Sequence, residues 1–260
     1  MSETLQIIVL GIVEGITEFL PISSTGHLLI AEHWLGRRSD LFNVGIQAGA
    51  ILAVVVIFWQ RLLNMLLRFN EAEHRDYLAK LTLAFVITVI GGFTAKQLGL
   101  ALPETVAPVA LALIIGGVVI LLVERFVAGK PVSTDVTWSV ACWVGASQIL
   151  AAVFPGTSRS AATIFAAMLA GLTSRPAAAE FAFLVGIPTM FAATGYELLK
   201  AREAGFENES GSAIALGFIV SAIVAFIAVK WLLHYVQTHR FTVFAWYRIV
   251  AGVALLTLVR

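Results

Sequence analysis

Glu14-Gly-Ile-Thr-Glu18-Phe-Leu-Pro21-Ile-Ser23-Ser24-Thr25-Gly-His27 interrupts an apolar segment with two carboxylates, a proline, hydroxyl side chains and a histidine. Proline removes a backbone donor and breaks a helix, so residues 4 to 35 read as helix, break, helix. A polar cluster at such a break, inside otherwise hydrocarbon-soluble sequence, points to a site rather than to packing.

The surrounding chain sets that context. Of 260 residues 59% are hydrophobic and 13% charged, with a mean hydropathy of +0.92, so polar side chains are too few to coat a soluble globule. Several apolar runs approach the ~20 residues that span ~30 Å of hydrocarbon, and none shows the alternation of a membrane barrel. The fold class is therefore an all-α polytopic membrane protein in one membrane domain. A net charge of +1 argues neither for nor against nucleic acid, and with no basic block or RNA-binding signature none is expected as a partner. The single cysteine, Cys142, lies in an apolar run and reads as core filling. The N-terminus has no basic leader region and is expected to be retained structure.

Six full crossings are expected, at roughly 43 to 60, 79 to 98, 106 to 124, 178 to 199, 212 to 230 and 241 to 258, separated by polar linkers such as 68 to 76, 128 to 135 and 202 to 211. A second interrupted segment, 136 to 172, carries Pro155. At an offset of 134 it matches the first: Gly11 with Gly145, Glu14 with Gln148, Pro21 with Pro155, and Ser23-Ser24 with Thr157-Ser158. This is an internal repeat, approximately 4–124 and 136–258. A helix-break-helix segment returns to its side of entry, and three crossings separate the two, so the second enters from the opposite face. Inverted repeats with broken, re-entrant helices usually place a binding site near the midplane. Arg61, Arg68, Arg75, Lys80, Arg125, Lys130, Arg175, Lys230 and Arg240 gather on one face, against Arg37, Arg38, Lys96, Lys200, Arg202 and Arg260 on the other, so both termini are expected outside.

Glu14 and Glu18 are four residues apart and share a helix face, where together they suit a divalent cation, Mg²⁺ or Ca²⁺. Protonation of one glutamate, or an interfacial position for both, is the alternative. The second break, Phe154-Pro-Gly156-Thr157-Ser158-Arg159-Ser160-Ala-Ala-Thr163, supplies the opposite charge. Arg159 matches phosphate in two-point contact, Gly156 permits close backbone approach, and Thr157 or Ser158 can cap the next helix. Helix N-termini near Ser24 and Arg159 add N–H donors for an anion. The alternative is a capped kink with Arg159 reaching an interface. Cation-binding acids opposite an anion-binding loop suit phosphoryl transfer, with Ser23, Ser24, Thr25 and His27 as candidates to attack, act as base or orient. Gln47, Gln148 and Glu180 are candidate supporting residues, and Arg248 and Glu197 are read as interfacial or paired.

The two motifs together resemble the bacterial undecaprenyl-diphosphate phosphatase, or bacitracin-resistance, family, over essentially the whole chain. The resemblance implies hydrolysis of undecaprenyl diphosphate to undecaprenyl phosphate, the lipid carrier reused in cell-wall (peptidoglycan) synthesis. It places the family's glutamate motif on Glu14 and Glu18, its serine-histidine extension on Ser24 and His27, and its phosphate motif on Pro155, Gly156, Ser158, Arg159, Ser160 and Thr163. It also implies a divalent cation, an inner-membrane location, a site open to the periplasm and inverted re-entrant hairpins; a homodimer is compatible with it. Ala161 departs from a glycine common in relatives. The phosphatidate-phosphatase class fits less well, because it wants a histidine and an acid where this chain has Phe165 and Leu169. A transporter or flippase for an anionic isoprenoid lipid is the non-enzymatic alternative.

Overall fold

The structure, a computed structural model, describes residues 1–100, 102–103, 105–204 and 210–258. Arg260 and most of the linker before Gly211 lie outside them, as does the side chain of Arg202. The described residues form helices α1 (Glu3–Thr17), α2 (Ser24–Leu35), α3 (Asp40–Ile57), α4 (Trp59–Leu67), α5 (Ala72–Gln97), α6 (Val106–Val127), α7 (Trp138–Val153), α8 (Arg159–Leu169), α9 (Arg175–Ala204), α10 (Gly211–Thr238) and α11 (Thr242–Leu258).

Helices α3, α5, α6, α9 and α10 are long and apolar enough to cross a membrane. The sixth expected crossing, α11, has 17 residues and rises about 25 Å. Large apolar side chains such as Ile115, Leu122, Ile223 and Ile227 stay on the outside, where lipid rather than water would solvate them. One expected span differs. The run from 43 to 60 is not continuous: α3 stops at Ile57 and α4 starts at Trp59, with Phe58 between them at φ −97°, ψ 14°.

Both interrupted segments form helical hairpins, α1 with α2 and α7 with α8. Their arms have 15, 12, 16 and 11 residues, or about 16 to 24 Å each, shorter than ~30 Å of hydrocarbon. Each hairpin packs on a long helix of the other half of the chain: α1 on α10, α7 on α5. Small residues make this approach possible. A Cβ on Gly15 would sit 2.7 Å from the Ser221 carbonyl oxygen and 2.8 Å from Val224 Cβ, and one on Gly145 would sit 2.7 Å from the Ala84 carbonyl oxygen. Gly15→Val is therefore expected to cost more than the ~1–3 kcal/mol of ordinary overpacking, because backbone stands in the way. Thermal unfolding in detergent checks this, and an unchanged melting temperature would contradict the packing.

The one-letter match between the breaks needs one adjustment. Ser23 (φ 74°) and Ser158 (φ 68°) are the two non-glycine residues with positive φ among the described residues. Each caps the following helix, accepting from Gly26 N at 3.4 Å and Ala161 N at 3.2 Å respectively. Ser23 thus corresponds to Ser158, not Thr157, because Gly156 adds one residue to the second loop. Beneath the tips lies a dense core containing Phe165, Phe181, Phe183, Phe241 and Phe244. At the end where Arg125 and Lys130 also lie, buried Glu124 accepts from Arg175 Nε at 2.9 Å, Arg175 Nη2 at 2.5 Å and Phe241 N at 2.9 Å, tying α6, α9 and α11 together.

Candidate functional site

The two hairpin tips touch. Ser160 Oγ, at the start of α8, donates to the Leu20 carbonyl of the first break at 3.0 Å, and lies 3.1 Å from Ser158 Oγ. Beside this contact Arg159 Nη2 donates to Glu18 Oε1 at 2.8 Å, and Ser24 Oγ donates to Glu18 Oε2 at 2.6 Å. One carboxylate, buried to 8% exposure, is thus shared between the guanidinium of the second break and the hydroxyl at the first residue of α2. The break geometry explains the convergence: Pro21 and Pro155 end their helices, and the capping serines start α2 and α8 at the same place. The N-termini of both helices therefore lie beside the Glu18–Arg159 pair.

Glu14 lies one turn before Glu18, fully buried, and neither of its carboxylate oxygens has a hydrogen-bond partner. No donor reaches it, but the Glu18 carboxylate is close enough to share a proton with it, and Arg159 is within electrostatic reach. An unpartnered buried carboxylate costs several kcal/mol unless something neutralises it. Among the described residues no group of three or more His, Cys, Asp or Glu forms a ready-made metal cage. Two adjacent carboxylates of hard oxygen donors, one of them with both oxygens free, nevertheless fit a cation that keeps water and phosphate oxygens as its remaining ligands.

His27 sits one turn into α2 and turns away from the acids. Its Nδ1 lies 2.6 Å from the Ser23 carbonyl oxygen, and its Nε2 lies 2.6 Å from Tyr247 Oη, with the two rings stacked at 5.6 Å. A carbonyl only accepts, so Nδ1 carries hydrogen and Nε2 is the nitrogen left to face Tyr247. His27 does not orient the Ser24 hydroxyl.

Several expected binding residues are used elsewhere. Thr163 Oγ1 donates back to the Arg159 and Ser160 carbonyls at 2.8 and 3.1 Å, so its hydroxyl stays within α8. Ser160 bridges the tips, and Ser158 caps. Gly156 (φ 89°) approaches α6 rather than an open site: a Cβ there would lie 2.7 Å from the Val109 carbonyl oxygen. Thr157 lines an apolar cavity of about 840 Å³ between α6, α7 and α8. Ser23 and Thr25 flank Ser24 at the head of α2. Of the supporting candidates, Gln148 Nε2 donates to Thr88 Oγ1 at 2.8 Å and Glu180 pairs with Arg61 at 3.4 Å; Glu197, read as interfacial or paired, pairs with Lys96 and Lys200.

Two residues of α11 belong to the site and were not singled out for it by sequence. Tyr247 meets His27, and Arg248, fully buried, donates to carbonyls of both breaks. The only signal was an arginine without a nearby acid inside an apolar helix.

Comparison with known proteins gives close relatives over nearly the whole chain. A Rhizobium etli protein named undecaprenyl-diphosphatase is 61% identical over 249 residues, covering 95% of this chain and 94% of the relative. A Xanthomonas oryzae pv. oryzae protein of the same name is 57% identical over 258 residues, covering 98% and 97%. The family model described as bacitracin resistance protein BacA matches residues 7–254, and the chain belongs to that family.

Proposed function

We propose that this chain hydrolyses undecaprenyl diphosphate to undecaprenyl phosphate and inorganic phosphate, recycling the lipid carrier of cell-wall synthesis. The observation that carries this reading is the Glu18 carboxylate held between Arg159 and Ser24 where two helix N-termini converge. That is an anion-binding guanidinium, a proton acceptor and a hydroxyl within one hydrogen-bonded chain.

The terminal phosphate competes with Glu18 for the Arg159 fork and accepts from free N–H groups at the heads of α2 and α8. Release from Arg159 frees Glu18 to take the Ser24 proton. Ser24 Oγ then bonds to the terminal phosphorus as the bond from phosphorus to the bridging oxygen breaks, and undecaprenyl phosphate leaves with that electron pair. Water attacks the phosphoserine in turn as the bond from phosphorus to Ser24 Oγ breaks with its electrons on Oγ; Glu18 returns its proton to Oγ, the proton given up by the water passes to solvent, and inorganic phosphate leaves. Glu14 and Glu18 would hold a divalent cation, Mg²⁺ or Ca²⁺, which when bound neutralises charge on the phosphate oxygens.

The short arms favour re-entrant hairpins, entering from opposite faces as the repeat requires. The excess of basic residues on the Arg125 and Lys130 face favours the inner membrane with both termini, and the mouth of the site, on the periplasmic side. The cavity between α6, α7 and α8 reaches Pro155 and Thr157 at the second tip, and its apolar lining suits a polyprenyl tail arriving sideways from the bilayer.

Purified protein in detergent with Mg²⁺ is expected to release orthophosphate from undecaprenyl diphosphate, and chelation of the cation to stop it. A transporter needs two compartments and releases none. No orthophosphate, together with movement of a labelled isoprenoid phosphate between leaflets of proteoliposomes, would replace this reading with the flippase.

A further inference from the structure

Arg248 stands in the middle of the apolar helix α11 with no exposed surface, the bulkiest of the fully buried side chains. Its guanidinium donates to five backbone carbonyls. Nη1 reaches Pro21 O at 3.2 Å; Nη2 reaches Gly156 O at 3.1 Å, Thr157 O at 3.0 Å and Ala112 O at 3.0 Å; Nε reaches Leu113 O at 3.3 Å. One side chain therefore grips the first break, the second break and α6. Carbonyl dipoles satisfy its hydrogens but bring no negative charge, and among the described residues no carboxylate forms an ion pair with it or acts on it electrostatically. A buried cation without a counter-charge is costly, and such residues in membrane segments normally face an anion.

The peptide geometry says what this grip does. In a trans peptide the carbonyl and the next N–H point in opposite directions. Holding the Pro21, Gly156 and Thr157 oxygens turns the N–H groups of Ile22, Thr157 and Ser158 away from Arg248. Ile22 N is already bonded to Leu20 O at 2.7 Å and Thr157 N to Phe154 O at 3.2 Å. Ser158 N–H is left, at the head of α8 and beside Arg159.

We infer that Arg248 is a positioning residue for the anionic substrate. It locks both breaks from behind so that the α8 N-terminus faces the phosphates, and its positive charge is balanced when the diphosphate is bound. This rests on the diphosphate reading above, deepens it, and is separable from it by experiment.

The probes are turnover of undecaprenyl diphosphate and the rise in melting temperature produced by inorganic pyrophosphate, compared in wild type, Arg248→Lys and Arg248→Met. Arg248→Met is expected to lose about 100-fold in kcat, as when one fixed donor to a developing anion is removed, and to lose the pyrophosphate-induced rise. Arg248→Lys keeps the charge but has three donors for five carbonyls. It is expected to recover the rise and to fall about three- to tenfold in kcat. A mere brace would lower the melting temperature of both variants and leave kcat and the pyrophosphate response of folded protein unchanged, which overturns the inference. Should Arg248→Met not fold, the lysine variant decides: unchanged kcat, or loss of the pyrophosphate response despite the retained charge, refutes it. Absence of orthophosphate release by wild type removes the proposed hydrolysis, while the pyrophosphate response of wild type and variants still tests Arg248.

Discussion

Arg159→Ala is expected to reduce kcat for undecaprenyl diphosphate by about 10³-fold or more, the range for an arginine that neutralises a transferring phosphoryl group. The Arg159 side chain is 16% exposed, bonded to Glu18 at 2.8 Å and through that carboxylate connected to the hydroxyl of Ser24. Arg159→Lys keeps a charge but loses the planar fork, so it should recover only part of the loss. Folding should survive, since Glu18 retains Ser24 and the tips retain the Ser160–Leu20 and Arg248 bonds. Steady-state kinetics on protein that elutes as wild type in detergent is the measurement. Activity within tenfold of wild type would exclude Arg159 from the phosphate.

Glu18 and Glu14 should separate into different defects. Glu18→Gln removes the acceptor for the Ser24 proton and the partner of Arg159, and is expected to lower kcat by about 10³-fold at any Mg²⁺ concentration, combining loss of a general base with misplacement of a cation. Glu14→Gln removes no bond from a donor group, and leaves an amide beside the Glu18 carboxylate, the side-chain neighbour with which Glu14 shares a hydrogen-bonding contact. It is expected to raise the Mg²⁺ concentration for half-maximal activity by about 10- to 100-fold, as loss of a metal-site carboxylate does. It should also raise the melting temperature without metal, since a neutral amide replaces an unpartnered buried acid. A Glu14→Gln enzyme with a wild-type Mg²⁺ midpoint and lower stability would mean that Glu14 is structural.

The breaks were legible because proline, glycine and hydroxyl residues punctuate apolar sequence, and Ser23 and Ser158 cap α2 and α8 where that punctuation falls. The long helices were legible by length. Helix α4 was not: Trp59-Gln-Arg-Leu-Leu-Asn-Met65 alternates apolar and polar positions at helical spacing, but only its first two residues fall in the expected span of 43 to 60, and 61 to 67 carried no expected element. The meeting of Glu18 with Arg159, 141 residues apart, followed from charge complementarity and the repeat. What sequence could not separate was a hydroxyl facing the site from one turned inward. Ser24 and Thr163 have similar chemistry, but Thr163 sits where its own helix offers carbonyls, whereas Ser24 starts a helix opposite an acid. Arg248 escaped for a related reason: its acceptors are backbone atoms, which carry no residue signature.

The knot at Glu124 has a bearing on traffic. Carrying a charged head group to the far face would require parting α6, α9 and α11 where Arg175 and Phe241 N meet one carboxylate, and sliding past the phenylalanines above it. On the proposed reading, with the site opening at the end away from Glu124, inorganic phosphate is expected to leave by the way the head group came in, and each turnover would begin and end in the same leaflet.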